Sequence, residues 1–483
     1  MITLKNVSFA YNRSAEKNLT NIQLEINKGE AVALIGLSGC GKTTLTRMIN
    51  ALAYKFYGGT VDGEITVAGI DPRKKELSEV GRKVGSIFQN PKSQFFAEIV
   101  EDEIAFGLEN YGIERTHILE RTEQALRFIN GENLVGKNLF QLSSGERQKV
   151  AIASINALDP PIYVFDEPSA NLDMKSVEAL KKLMLSLKEA GKTIVISEHR
   201  IYYLKDIADY YYYMKDGKII QRYTRAELLQ KPPAYFEAAG LRTYLLNSVK
   251  PKAVQLEGKH HLDITAVSFS YKGAPVLTNV NYVFTSGNIY GIIGSNGVGK
   301  STLSKILCGL LKEKSGTIAY NGKKLGKSDR RKSIYYLSNN PDSNLFEVSP
   351  AEELKLNDPA ADVETILRQF HLENTQTTHP HILSGGQKQR LTIAAAELLQ
   401  RDVYIFDEPT SGLDGKNMRL IAERMKLLQE RQKIVIIISH DYEFLMESCN
   451  KILYLDGQSL KEFSAAQDKE KIQEVLQGGE EFS

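Results

Sequence analysis

Two glycine-rich segments of this chain have the residue types and the spacing that hold a phosphate group. Residues 36–43 read GLSGCGKT and residues 294–301 read GSNGVGKS, so both fit the pattern GxxxxGK(S/T). In this pattern the glycines let the backbone wrap a phosphate, and the amides that open the following helix supply positive potential. The lysine reaches the β- and γ-phosphates, and the last hydroxyl group is a ligand of Mg²⁺. We therefore expect two sites for a nucleoside triphosphate and Mg²⁺.

The candidate phosphate-binding residues extend into the first turn of each predicted helix. They are Gly36, Ser38, Gly39, Gly41, Lys42, Thr43 and Thr44 in the first segment and Gly294, Asn296, Gly297, Gly299, Lys300, Ser301 and Thr302 in the second. The hydroxyl groups of Thr43 and Ser301 are candidate metal ligands. Because both matches stand between an apolar run and a helical pattern, we interpret them as functional rather than as chance turns.

Each half of the chain also contains an apolar run that ends in two acids and a proline, YVFDEP at residues 163–168 and YIFDEP at residues 404–409. The first acid, Asp166 or Asp407, suits a Mg²⁺ ligand at the end of a strand. The second acid, Glu167 or Glu408, is placed to polarise a water for in-line attack on the γ-phosphate. Two adjacent acids that occur only once after a strand would be interpreted as part of a solvated turn. Recurrence of the pair downstream of both phosphate segments favours a catalytic function.

These landmarks belong to an internal repeat. Residues 1–11 recur at residues 262–271, and the two phosphate segments are 258 residues apart. The two pairs of acids are 241 residues apart, so the second copy is 17 residues shorter between these landmarks. A repeat of this kind is considered before other sequence signals, because a fold assigned without it would be wrong. We predict a first domain at residues 1–240, a linker at 241–261 and a second domain at 262–483.

The elements that must position these residues alternate between strand and helix. Apolar runs that are typical of buried strands are residues 31–35, 162–165, 193–197, 288–293, 403–406 and 434–439. Helical patterns lie between them, for example at residues 175–188 and 416–429. Alternation of this kind predicts an α/β fold with a mostly parallel sheet and helices on both faces. The four tyrosines at residues 210–213 are interpreted as a core strand without a function of their own.

Composition limits the class of protein. The chain has 483 residues, 42% of them hydrophobic and 25% charged, with a net charge of +2. A domain that holds nucleic acid by its phosphates usually has a basic excess, so no nucleic-acid partner is expected. Cys40, Cys308 and Cys449 show no CxxC spacing, which favours a reducing compartment over a disulfide framework or a zinc site. Without a signal peptide or an apolar run of about 18 residues, the chain is expected neither to be exported nor to span a bilayer by itself.

In their order, these motifs resemble those of the ATP-binding subunits of ABC transporters, twice and over essentially the whole chain. The most specific element is LSGGQ at residues 383–387, with the variant LSSGE at residues 142–146. The resemblance implies that each domain combines a RecA-like core sheet, an antiparallel β subdomain and a helical subdomain. It further implies that ATP lies between the phosphate segment of one domain and the signature of the other, within one chain. The signature residues implied to contact ATP are Ser143, Gly145, Ser384, Gly385, Gly386 and Gln387.

The same resemblance assigns further roles. His199 and His440 match the family's switch histidine, which contacts the γ-phosphate and positions the attacking water. Gln89 matches a glutamine that touches Mg²⁺ and that water, whereas the second half has Asn339 at this position. Residues 169–173 and 411–414 look like the loops that cross between the domains.

The resemblance also gives an expectation for the nucleotide base. Tyr11 and Tyr271 match the aromatic residue that stacks on adenine, with local packing as the alternative.

An asymmetry between the sites follows from these differences. The first site combines Gln89 with the unmodified signature, and the second combines Asn339 with a signature that has Ser144 in place of a glycine. Asparagine is one methylene shorter, and a side chain at residue 144 would crowd the γ-phosphate. We predict that both sites bind ATP and that the first hydrolyses it faster. Alkylation of Cys40, inside the first phosphate segment, is expected to inhibit, with ATP protecting.

The segment at residues 90–110 is similar to the ATPases of energy-coupling-factor importers, which take up vitamins and transition-metal ions. This similarity implies that the chain is a peripheral protein on the cytoplasmic face of the cell membrane. Its partners would be a transmembrane coupling protein and a substrate-binding membrane subunit. A soluble translation or ribosome-associated ATPase and a tandem sugar-importer ATPase are the alternatives. The apolar residues expected to offer a partner-docking surface are Phe95, Phe96, Ile99, Ile104, Phe106 and Leu108, with the alternative that several of them fill the helical subdomain.

Overall fold

A computed structural model describes residues 1–12 and 17–479. The chain divides into two compact units, Met1–Leu245 and Leu246–Ser483. This division falls within the predicted linker of residues 241–261. Farther along that segment, the Lys252 amide donates to the Met446 carbonyl (3.1 Å) and the Leu256 amide to the Gly287 carbonyl (2.8 Å). The later part of the segment therefore packs on the second unit, and the domain bounds given above remain our proposal.

In the first unit the strands and helices alternate after an initial antiparallel pair. Its strands are β1 (Ile2–Tyr11), β2 (Leu19–Ile26), β3 (Ala31–Gly36), β4 (Gly59–Val67), β5 (Val84–Ile87), β6 (Ile162–Asp166), β7 (Thr193–Ser197), β8 (Tyr210–Lys215) and β9 (Lys218–Thr224). Its helices are α1 (Lys42–Ile49), α2 (Leu52–Lys55), α3 (Leu77–Gly81), α4 (Val100–Asn110), α5 (Arg115–Phe128), α6 (Ser144–Ala157), α7 (Met174–Glu189), α8 (Arg225–Leu229) and α9 (Pro233–Ala238). Short 3₁₀ helices occur at Pro72–Lys74, Pro91–Ser93, Glu132–Leu134, Leu139–Gln141 and Leu204–Asp206.

The second unit repeats this order. Its strands are β10 (His261–Tyr271), β11 (Ala274–Thr285), β12 (Ile289–Ile293), β13 (Ser315–Tyr320), β14 (Lys323–Lys324), β15 (Ile334–Leu337), β16 (Val403–Asp407), β17 (Ile434–Ile438), β18 (Lys451–Leu455) and β19 (Leu460–Ser464). Its helices are α10 (Lys300–Leu307), α11 (Lys327–Ser333), α12 (Pro350–Asn357), α13 (Val363–Gln369), α14 (Gly385–Leu398), α15 (Gly415–Glu430), α16 (Tyr442–Ser448) and α17 (Lys469–Leu476). Short 3₁₀ helices occur at Leu246–Ser248, Pro341–Asn344, Glu373–Thr375 and Pro380–Ile382.

The core sheet of the first unit has the strand order β5-β6-β7-β3-β8-β9. Neighbouring strands from β5 to β8 pair in parallel, and β9 is antiparallel to β8. Every residue of β3 and β7 is buried, as expected for strands covered by helices on both faces. Because β6, β7 and β3 are neighbours, the segments that follow them meet at one edge of the sheet, where α/β proteins bind ligands. A separate antiparallel sheet has the order β2-β1-β4.

The second unit has the same arrangement, with a core sheet in the order β15-β16-β17-β12-β18-β19. Its antiparallel sheet has the order β11-β10-β13-β14. The α/β fold with a mostly parallel sheet in each half is therefore confirmed. The strand predicted at residues 210–213 is also confirmed as part of β8, which pairs with β3.

The helical part of the first unit is built on α4, α5 and α6. Ile104 and Leu108 on α4 share a buried core with Leu126 on α5 and Val150 on α6. The prediction that Ile104 and Leu108 lie on a docking surface is therefore wrong, since both are fully buried. They are four residues apart on α4, which places both on the face that packs inward.

Candidate active sites

The first phosphate segment requires glycine where it leaves β3 and where it enters α1. Gly36 has φ +154°, and a Cβ there would lie 2.4 Å from the Met214 carbonyl oxygen. Gly41 caps α1 with φ +101°, and Gly39 between them has φ +79°. These left-handed conformations are accessible to glycine at little cost. The backbone therefore turns at three positions of this segment where glycine is favoured.

Lys42, at the start of α1, points back over this loop. Its Nζ donates to the carbonyl oxygens of Gly36 (3.0 Å) and Leu37 (3.1 Å), and its side chain is buried. The same Nζ lies 3.5 Å from Nε2 of His199, which follows β7. These carbonyls compensate for burial of the ammonium group. The structure thus places the lysine and the histidine at one point, as the sequence predicts.

A hydroxyl group and a carboxyl group adjoin this lysine. Thr43 Oγ1 donates to Oδ1 of Asp166, the last residue of β6, at 3.0 Å. Burial, and then the charge of Glu167, raises the pKa of Asp166. Hard oxygen donors of this kind fit Mg²⁺, which takes one or two carboxylates and completes its shell with phosphates and water. No group of three or more His, Cys, Asp or Glu side chains suited to a metal occurs in residues 1–12 and 17–479.

Glu167 is held by a strained turn and two polar side chains. Its φ is +45°, and its amide donates to the Ser197 carbonyl (2.8 Å). Its carboxylate accepts a hydrogen bond from Gln89 Nε2 (2.7 Å) and lies 3.2 Å from His199 Nε2. Left-handed backbone at a residue other than glycine costs about 1–3 kcal/mol and is concentrated at functional sites. Glu167 therefore contacts both of the other catalytic candidates of the first half, Gln89 and His199.

Glu198, which the sequence motifs did not single out, is 2% exposed beside the histidine. Its Oε1 accepts from the amides of His199 (2.7 Å) and Arg200 (3.1 Å). Its Oε2 accepts from the Ser169 amide (3.3 Å) and the Tyr203 hydroxyl group (2.8 Å). One carboxyl group thus joins the segment after β7 to the loop after β6. The available sequence signal was the acid directly before the switch histidine, where the second half has Ser439.

Arg200 strengthens the same connection. One of its guanidinium nitrogens donates to the carbonyl oxygens of Ser169 (3.3 Å) and Leu172 (3.0 Å). Both carbonyls belong to the loop at residues 169–173. The histidine segment and this loop are therefore fixed to each other by two buried side chains.

The second phosphate segment has the same shape as the first. Gly294 (φ +149°), Gly297 (φ +85°) and Gly299 (φ +115°) repeat the left-handed glycines. Lys300 Nζ donates to the carbonyl oxygens of Gly294 (2.7 Å) and Ser295 (3.0 Å). The repeated sequence pattern therefore has the same left-handed glycines in both phosphate segments.

The acids of the second half are placed as in the first. Ser301 Oγ donates to Asp407 Oδ2 (2.9 Å), and burial raises the pKa of Asp407. Glu408 again has a positive φ, +51°, and its amide donates to the Ile438 carbonyl (2.9 Å). The hydroxyl, the carboxyl and the strained glutamate therefore recur together.

The second catalytic group is looser than the first. Glu408 accepts from Ser439 Oγ (3.2 Å) and from the His440 amide (3.1 Å). The His440 imidazole lies 4.0 Å from Glu408, against 3.2 Å for the corresponding pair in the first half. Among the described residues, no hydrogen bond joins Asn339 to Glu408, whereas Gln89 bonds directly to Glu167. The shorter amide at residue 339 therefore leaves the second glutamate without this contact.

Both signature segments open a helix with reciprocal caps. Ser143 Oγ accepts from the Glu146 amide before α6, and Ser384 Oγ accepts from the Gln387 amide before α14. A Cβ on Gly385 would meet no atom within 4 Å. The side chain of Ser144, which occupies the corresponding place in the first unit, therefore fits without strain. Gly145 and Gly386 are tighter, because a Cβ would lie 2.4 Å from Ser176 Oγ and 3.0 Å from Leu413 Cδ2, respectively.

The two candidate adenine-stacking residues differ in their surroundings. Tyr11 packs edge-on against Phe9 and Tyr57, and its hydroxyl oxygen is buried without a hydrogen-bond partner among the described residues. Tyr271 packs edge-on against Phe269 and is 47% exposed. Thr44 and Thr302, the remaining candidates, are the third residues of α1 and α10, respectively. The second tyrosine therefore offers the freer ring face.

Alkylation of Cys40 tests the first phosphate segment. Cys40 is 5% exposed, and a Cβ on Gly36 would lie 2.7 Å from its sulfur. We expect N-ethylmaleimide to inhibit slowly, ATP to slow inhibition further, and Cys40→Ser to abolish it. Cys449 is fully buried, which raises its pKa to about 12, so it does not compete at neutral pH. Alkylation of Cys40, mapped by mass spectrometry, with unchanged nucleotide binding would contradict the placement of this segment.

A phosphate loop after a central strand, with acids at the end of the neighbouring strand, defines a P-loop nucleotide-binding protein. The family model described as "ABC transporter" matches residues 19–170 and 277–411, more than half of the chain. A protein of Treponema denticola named "Putative ABC transporter ATP-binding protein" is 39% identical, with 99% of this chain and all of that protein covered. A protein of the same name from Methanosarcina mazei is 31% identical, with 97% of this chain and 89% of that protein covered. The chain therefore belongs to the ABC transporter family, binds ATP and is an ATPase.

Solved structures agree in fold. The archaeal ribosome recycling factor aABCE1, solved with the ribosomal stalk protein aP1, has a TM-score of 0.66 at 19% identity, with 97% of this chain and 92% of that chain covered. A structure named RNase-L Inhibitor has a TM-score of 0.66 at 20% identity, with 98% and 93% covered. At these low identities the similarity shows only the fold, which consists of two tandem domains. In the described residues, no helix combines the length and the apolar character needed to cross a membrane.

Proposed function

We propose that the chain is the ATP-hydrolysing subunit of a membrane importer of the energy-coupling-factor type, which takes up a vitamin or a transition-metal ion. It would act as a peripheral protein on the cytoplasmic face of the cell membrane. Its partners would be a transmembrane coupling protein and a substrate-binding membrane subunit. The observation that carries this proposal is an exposed phenylalanine beside each catalytic segment.

Phe96 follows the Gln89 segment and is 75% exposed. Its ring stacks on Phe106 of α4, with centroids 4.9 Å apart. Nearby, the Leu139 amide donates to the Glu98 carbonyl (2.8 Å), and Phe140 is 60% exposed. Exposed aromatic rings at one place are typical of interaction sites. This patch supports docking of a membrane subunit beside the catalytic glutamine.

A buried carboxyl group fixes this exposed segment. Glu103 Oε2 accepts from the amides of Phe96 (2.8 Å) and Ala97 (2.9 Å), and burial raises the pKa of Glu103. The second unit repeats the device, because Glu353 Oε2 accepts from the amides of Phe346 (2.8 Å) and Glu347 (3.0 Å). Phe346 is 76% exposed. Exposure of both phenylalanines is therefore part of the fold, and each unit offers an apolar contact for a membrane partner.

For the hydrolytic reaction, we propose that each phosphate segment binds the phosphates of ATP. In the first site Thr43 and Asp166 would hold Mg²⁺, which neutralises charge that develops on the phosphates. Glu167 would accept a proton from the attacking water, and Gln89 and His199 would orient that water. Ser301, Asp407, Glu408 and His440 are proposed for the same roles in the second site.

The other proposed roles follow the family resemblance. Each signature segment would complete the site of the other domain, so that two ATP molecules bind within one chain. Tyr11 and Tyr271 would stack on adenine. The freer ring of Tyr271 supports that role in the second unit.

Substitution of Phe96 tests the importer proposal. We expect Phe96→Asp to remove most of the membrane subunits that co-purify with the tagged chain, with ATPase activity of the isolated chain retained. Leu119→Asp on α5, 65% exposed, is the matched control and should leave co-purification unchanged. Mass spectrometry of the native complex identifies the subunits. Sedimentation with ribosomes and absence from membranes would favour the soluble ribosome-associated alternative, and sugar-permease subunits in the complex would favour the sugar importer.

A further inference from the structure

Tyr336 contacts the metal-site acid of the second unit. It is the third residue of β15, and its hydroxyl group donates to Asp407 Oδ2 at 2.9 Å. The same oxygen accepts from Ser301 Oγ, also at 2.9 Å. One carboxylate oxygen is thus held by two hydroxyl groups from different elements. Both hydroxyl groups therefore restrict how this carboxyl group can rotate.

The first unit lacks this contact. Ser86 occupies the corresponding place, three residues before Gln89, as Tyr336 stands three residues before Asn339. Its Oγ accepts from Asn50 Nδ2 (2.9 Å) instead. In the part of the chain that the structure describes, no hydrogen bond joins Ser86 to Asp166.

The chemistry of the pair makes Tyr336 a persistent donor. A tyrosine phenol carries its proton at neutral pH, so the hydroxyl group of Tyr336 can donate to the carboxylate. A hydrogen bond to a carboxylate is charge-assisted and stronger than a neutral one. Partners of this kind orient a metal-binding carboxylate, and their loss typically weakens metal affinity about 10–100-fold. The contact therefore bears on how well Asp407 serves a metal ion.

We propose that Tyr336 is a positioning residue of the second nucleotide site, which orients Asp407 for Mg²⁺ and so lets this site retain Mg²⁺ and nucleotide. The inference rests on the proposed function of two Mg²⁺–ATP sites. Tyr336 contacts the metal-site acid from the position that Ser86 occupies in the first unit.

The test measures metal binding rather than turnover. In the full-length chain with Lys42→Ala, which disables the first site, Mg²⁺ is titrated against binding of a fluorescent ATP analogue. Electron paramagnetic resonance with Mn²⁺ provides a second readout. We expect Tyr336→Phe to weaken the metal affinity of the second site about ten-fold. Phenylalanine keeps the ring, so circular dichroism should show an intact fold.

The neighbouring residue is the matched control. Tyr335 lies on the same strand and packs its ring against Tyr404, with centroids 6.2 Å apart. Tyr335→Phe should leave the metal dependence unchanged. Equal metal affinity in the two variants would overturn the role of Tyr336. A Lys42→Ala chain that binds no nucleotide with any metal would instead refute the proposed second site.

Discussion

Glu167→Gln is expected to lower the steady-state ATPase rate of the chain about 100-fold, within the range that a general base contributes. Glu408→Gln is expected to lower it about two-fold or less, because we predict that the first site hydrolyses ATP faster than the second. The physical reason is that Glu167 contacts both Gln89 (2.7 Å) and His199 (3.2 Å). In the second site, the imidazole of His440 lies 4.0 Å from Glu408.

Matched controls separate catalysis from binding in this comparison. Both glutamine variants should bind two ATP molecules per chain in equilibrium dialysis, since glutamine preserves the shape of the carboxylate side chain. Gln89→Asn should copy the second site and reduce the rate without loss of bound ATP. Equal losses of activity in the two glutamate variants would contradict the asymmetry.

Glu198→Ala is expected to lower the free energy of unfolding of the first unit by about 3–5 kcal/mol, because buried donors lose their acceptor. The affected donors are the amides of His199, Arg200 and Ser169 and the hydroxyl group of Tyr203. ATPase activity should fall as well, since His199 loses the contact that fixes its backbone. The chain has no tryptophan, so urea unfolding is followed by far-UV circular dichroism.

An exposed acid on α7 supplies the control. Glu178 is 53% exposed and pairs weakly with Lys181, so Glu178→Ala should change stability by about 0.5 kcal/mol or less. Glu198→Gln keeps one acceptor oxygen and should fall between the two. An unfolding curve of Glu198→Ala that matches that of Glu178→Ala would show that the carboxyl group does not join the two loops.

Much of the fold could be predicted from the sequence because its signals are local. The all-apolar run at residues 31–35 predicts a strand, and β3 is Ala31–Gly36. The helical pattern at residues 175–188 corresponds to α7, Met174–Glu189. The glycines of the phosphate segments could likewise be predicted, because the left-handed backbone found at Gly41 favours glycine.

The remaining contacts join residues that are distant in the sequence. Tyr336 and Asp407 are 71 positions apart, and Ser169 and Glu198 are 29 apart, so no local pattern reports them. The orientation of α4 was also beyond the sequence. Ile104 and Leu108 suit an exposed docking face and a buried face equally well until α5 and α6 are placed.

Covalent continuity between the units has a consequence for assembly. The first unit ends at Leu245 and the second begins at Leu246, so the two ATPase domains are made together in equal numbers. Linking two modules in one chain keeps each at a high effective concentration around the other, whatever the dilution. Each fused chain of this kind therefore always contains one first unit and one second unit. The two unlike halves are thereby supplied in a fixed ratio, and no association equilibrium between separate chains is needed to bring them together.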